Sequence, residues 1–188
     1  MAEGDPWMVD AVWRASDLTR AYLAQDRARV AGCLAGLDAG RLERVLVWLV
    51  LEHDELFDRL GEPSMAVREI DAVAALAPAE TELAMLTAVR RVAAKEAGLT
   101  RAVESLPLLD QVHAIAICTV VMLLEAFGRS RALDQLDAET AHYERMGHPG
   151  PTRSRDRPAP VPLRGRTGRI RPLVQLLDVH RARLIVDL

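Results

Sequence analysis

The stretch Leu42–Leu60, LERVLVWLVLEHDELFDRL, decides how the fold is read. Seven apolar residues in succession, Val45 to Leu51, run directly into Glu52-His53-Asp54-Glu55. Leu42, Leu46, Leu49, His53, Leu56 and Leu60 alternate four and three apart, which puts them on one stripe of an α-helix. His53 sits on that stripe. At about 100° per residue, Asp54 and Asp58 turn to the opposite side and Glu52 and Glu55 to the flank, so the acidic cluster radiates and does not converge on one ion. The residues describe a core helix with a hydrogen-bonded histidine on its buried side and solvated carboxylates at its end.

The same helix has a second apolar side. Val47 and Leu51 lie opposite the main stripe and Trp48 on the flank between. A helix apolar on every side must be buried on every side. Either the chain's own helices surround it, or a second copy covers it across a two-fold axis, with Trp48 as the anchor and Val47 and Leu51 beside it. Residues 108–127 are also apolar nearly all round, and one small bundle has difficulty hiding two such helices. A homodimer is therefore expected.

Working outward, helix signals recur along the chain. Asp5-Pro6 pairs a cap with proline at the first helical position, opening a helix that runs, with a break, to about Leu37. Asp38 caps the next, which Gly61-Glu62-Pro63 stops. Ser64 opens a third, ending near Ala77-Pro78, and a fourth spans about Ala79 to Lys95. After a connector from Thr100, Leu108–Phe127 is the second strongly apolar helix, and Ser130 opens Arg131–Met146. Half of the 188 residues are apolar but only 4% aromatic, dominated by Ala, Leu and Val, which favours helix over sheet. The expected fold is all-α, a bundle of about six helices over residues 1–148.

The net charge of −3 conceals two unlike parts. Residues 1–150 carry 15 Arg or Lys against 24 Asp or Glu, a balance of −9, and residues 151–188 carry nine Arg against three Asp, a balance of +6. Six of the ten prolines fall between Pro149 and Pro172, so 149–172 reads as a flexible basic linker. Beyond it, Leu173, Leu176, Leu177 and Leu184 share a helical face, and 173–188 reads as a short amphipathic docking segment for the body or for a partner's groove. Cys33 and Cys118 lie far apart without metal-ligand spacing and read as core residues. The first residues lack a secretion pattern and no apolar run has the length a bilayer needs, so a soluble cytoplasmic protein is expected.

Three functional classes compete. Glu139-Thr-Ala-His142 has the ExxH spacing of carboxylate-bridged bundles and Asp110-Gln-Val-His113 imitates it. His142 falls off the expected stripe Leu133, Leu136, Thr140 and Tyr143, however, and Asp110 points mostly away from the stripe Leu109, Val112, Ala116, Val120, Leu123 and Phe127. Neither metal nor cofactor is expected. Leu56–Ile70, with Leu56, Leu60, Gly61, Val67 and Ile70 in place, resembles the helix-turn-helix of transcription regulators, which implies DNA binding through 56–76. Phe57 stands where that motif wants a small residue, Glu62 follows the turn glycine, and the body's acidic charge opposes phosphate contact. No phosphate-binding glycine loop, GxSxG or HExxH occurs. The leading expectation is a non-enzymatic interaction or accessory protein acting on a protein partner through apolar helix surfaces and the C-terminal arm.

Overall fold

The computed structural model describes residues 6–145 except 62, 64 and 82. The linker and the docking segment, with Leu173, Leu176, Leu177 and Leu184, lie outside the described residues, as does the Asp5 cap. The fold is all-α. Eight helices and no strand occur among the described residues. They are α1 (Pro6–Leu23), α2 (Arg27–Cys33), α3 (Ala39–Leu60), α4 (Val67–Ala74), α5 (Leu83–Ala93), α6 (Leu99–Val103), α7 (Leu108–Phe127) and α8 (Arg129–Arg145).

Two helices beyond the six expected come from local chemistry. The break after α1 is a left-handed Gln25 (φ 58°), after which Asp26 accepts a hydrogen bond from the Arg29 amide at 3.0 Å and restarts the chain as α2. The connector after Gly98 contains one short helix, α6. Asp38 does cap α3, accepting from the Arg41 amide at 2.9 Å, and Gly61 ends it at φ 68°, where its amide reaches the Asp58 carbonyl. The third helix begins two residues later than a Ser64 cap implies, at Val67, with Ala66 in the cap position and no side-chain cap.

Helix α7 is the axis of the bundle. It packs against α1, α3, α4, α5, α6 and α8, and every residue from Val112 to Leu123 is buried. Its length and composition would suffice to cross a membrane, yet 72% of its most apolar window is covered by the bundle. Burying a side chain such as Ile117 or Met122 contributes about 1.5–3 kcal/mol, and α7 supplies many of them. Helix α3 lies between α1 and α7 with Val45, Trp48, Leu49, His53 and Leu56 buried.

By contrast, the polar helix α8 is held largely by directed bonds. The buried Arg20 of α1 donates to Asp137 and, at 3.3 Å, to Thr140, while Arg129 donates to the Leu23 carbonyl. Trp13 and Tyr143 add an edge-to-face contact at 6.3 Å.

Candidate functional site

The last two turns of α3 face the joint between α5 and α6, and a cleft of about 360 Å³ lies there. His53, Asp54 and Phe57 line it from α3, and Pro63 and Met65 from the turn that follows. The other wall is Val92 and Ala93 of α5, the connecting residues Lys95, Ala97 and Gly98, and Leu99 and Thr100 of α6. Most of the lining is therefore apolar. Lys95 takes a left-handed conformation (φ 58°), a strained one for a residue with a Cβ, and it turns the chain out of α5.

His53 is the polar centre of the cleft. It is 4% exposed, its ring stacks on Phe57 with centroids 5.9 Å apart, and its Nδ1 lies 3.0 Å from the Asp54 carboxylate. Burial lowers its pKa, with the Asp54 hydrogen bond opposing, so the ring is neutral at pH 7. A carboxylate accepts only, so Nδ1 carries the proton and Nε2 presents a lone pair. That Nε2 is buried and has no hydrogen-bond partner. A buried acceptor without a partner costs about 1–3 kcal/mol, which a donor brought in by a ligand would recover.

The acidic cluster radiates as the helix period requires. The Asp54 side chain is 67% exposed, while Glu52 accepts from the Trp48 indole at 2.6 Å on another side of the helix. Trp48 itself is 6% exposed within the single chain. Its ring is enclosed by helices of its own chain. Leu51 is half-buried, and Val47, 49% exposed, is the one exposed large hydrophobic side chain among the described residues.

No protein-family model matches the chain, and no curated protein or solved structure matches it.

The two carboxylate–histidine pairs go to different places. Asp110 is buried, contrary to the outward direction read from the sequence, while Leu108, Leu109 and Gln111 around it are half-buried; a helix N-terminus favours a carboxylate there. His113 is fully enclosed and shares a 2.7 Å hydrogen bond with the Tyr22 hydroxyl. Burial lowers its pKa to about 4, the distant charge of Glu80 working weakly against that, and burial also raises that of Tyr22. This neutral pair is core. His142 is half-buried against Tyr143, their rings 6.2 Å apart. Among the described residues no three His, Cys, Asp or Glu side chains are grouped to hold a metal ion.

In the segment that resembles a helix-turn-helix, the exposed Arg68 is bonded to its neighbour Glu69 at 3.0 Å. The sequence reading missed the α5–α6 wall of the cleft. Its only local signals are the single lysine, Lys95, at a helix end and the small residues around it.

Proposed function

We propose that this chain is a non-enzymatic helical-bundle interaction protein that holds an apolar segment of a partner polypeptide in the cleft beside His53. One observation carries the reading: a largely apolar cleft of about 360 Å³ surrounds a single buried acceptor, His53 Nε2. Such a combination suits an apolar anchor that brings one N–H or O–H donor with it, the usual division of labour between affinity and orientation. Lys95 at the lining favours a segment with a carboxylate or a chain carbonyl nearby.

The arm has a place in this reading. Residues 173–188 supply a second apolar contact to the same partner, and the linker supplies reach, which raises avidity without further contact area on the body. The protein would work in the cytoplasm.

The only lysine of the chain lies in the cleft, which makes the test direct. A photoactivatable cross-linker on Lys95 of the full chain, activated in an extract of the source cells, should capture an apolar segment of one partner, mapped by mass spectrometry. Capture should fail with Leu99→Asp. Cross-links confined to water, or capture indifferent to that substitution, would contradict the proposal.

A further inference from the structure

The chemistry of the cleft narrows which donor it takes. Nδ1 of His53 is bonded to Asp54 at 3.0 Å, and the ring stacks on Phe57 with the two planes 15° apart. Turning the ring to exchange its nitrogens would give up both contacts. The lone pair on Nε2, buried and without a partner, is therefore fixed in direction. Phe57, Met65, Val92 and Leu99 line the same space, so a group that reaches Nε2 must be apolar over most of its surface and carry a donor.

Few chemical groups meet both demands. An ammonium or guanidinium would leave water for one neutral acceptor, and the free side of the Asp54 carboxylate, 67% exposed, is in water, where an ion pair contributes little. A serine hydroxyl or a chain amide brings the donor without the apolar volume. A phenol or an imidazole brings acceptor lone pairs as well, and the donor-bearing side chains that line the cleft besides His53, Lys95 and Thr100, are both exposed. An indole has a large apolar ring, one N–H and no acceptor. It leaves nothing unsatisfied.

The walls suit that ring in other ways. Met65, 8% exposed, supplies a polarizable sulfur, which packs favourably at an aromatic edge. Lys95 supplies an ammonium, and the indole is the ring whose face attracts a cation best. Asp54, Lys95, Gly98 and Thr100 are exposed, so one edge of the cleft opens to water and the main chain that carries the ring stays outside. We infer that the cleft beside His53 seats the indole of a tryptophan in the partner segment, its N–H donating to His53 Nε2. This inference rests on the reading of the cleft as a partner's docking site and adds which residue the partner brings.

The test uses the full chain, labelled with ¹⁵N-histidine, and two probes: N-acetyl-tryptophanamide and its 1-methyl analogue, which keeps the ring and lacks the N–H. The first should move the His53 Nε2 signal, and the analogue should bind about tenfold more weakly, the effect of leaving a buried acceptor unmet. This comparison needs no variant. Equal affinities, or a His53 signal that stays in place up to the solubility limit of the amide, would overturn the inference. A folded His53→Phe variant should bind the two probes equally; a preference that persists would assign the N–H to another acceptor and overturn it as well. The docking reading fails or stands separately. Capture at Lys95 of a segment without tryptophan would overturn the indole assignment and leave that reading intact, whereas failure of all capture, with the preference for the N–H present, would overturn the reading and leave the indole site.

Discussion

Helices α3 and α7 are both long and apolar, yet they are used differently. Between Gln111 and Leu124, α7 contains no charged residue, and the bundle closes around it on every side. Helix α3 is interrupted by Arg41, Glu43 and Arg44 near its start and by Glu52, Asp54, Glu55, Asp58 and Arg59 towards its end. Those charges keep parts of its surface in contact with water, so its last turns form one wall of a cleft and Val47 stays open. A long charge-free window is committed to the core; an apolar helix with charged turns has a buried stripe and a surface left for contact. The two buried histidines follow the same division. His113 on α7 is satisfied by Tyr22, whereas His53 on α3 keeps a nitrogen without a partner at the cleft.

The largest effect that can break this contrast belongs to Trp48. Enclosed in one chain, its truncation to Ala should cost about 3–5 kcal/mol in thermal or urea unfolding. A variant that keeps wild-type stability but sediments at a lower mass would instead place the ring between two copies.

Acid acts next, and mainly on α7. The folded pKa of His113 is about 4, below its ordinary value near 6.5, so the unfolded chain takes up the proton first as pH falls. The contribution is present in full above pH 6.5 and is lost progressively towards pH 4, roughly 3 kcal/mol in all for one such group. The lowered pKa of His53 has the same sign. Urea unfolding between pH 7 and pH 5 should therefore show stability rising with pH, with a smaller slope in His113→Gln. A slope unchanged by that substitution would show that His113 takes up its proton over the same pH range in the folded and unfolded chain.

Removing one atom from the same pair is a smaller perturbation. Tyr22→Phe leaves His113 Nδ1 buried without its 2.7 Å partner, and should cost about 1–3 kcal/mol. Smallest of all is Val47→Ser on the open side of α3, which should change stability by less than about 0.5 kcal/mol. A loss several times larger would mean that this face is covered in solution.

Much of the architecture was legible from local chemistry. The Asp38 cap, the Gly61 stop and the limits of Leu108–Phe127 are written in residues that act on their own backbone. So was the buried place of His53, which the period of α3 fixes. The burial of Asp110 was not, because six other helices cover α7 and a single helix's stripe does not show how many neighbours it has. The pattern kept two covers for Trp48, the chain's own helices and a second copy, and its 6% exposure in the single chain comes from tertiary packing that spacing does not encode. The cleft was legible on one side only: His53 and Phe57 stand on a readable helix, whereas Lys95, Ala97 and Leu99 meet them through tertiary packing. Sequence spacing encodes faces, and a cleft is a relation between faces.

The central claim is that contact with a partner belongs to the cleft and not to the outer face of α3. Its most direct measurement is the affinity of the captured partner segment, made as a synthetic peptide, for the wild-type chain and for Leu99→Asp and Val47→Asp, by titration calorimetry on proteins of equal melting temperature. Leu99→Asp should weaken binding by about tenfold or more, as a buried charge in an apolar site requires, with Val47→Asp unchanged. Binding that survives Leu99→Asp and is lost with Val47→Asp would contradict the account.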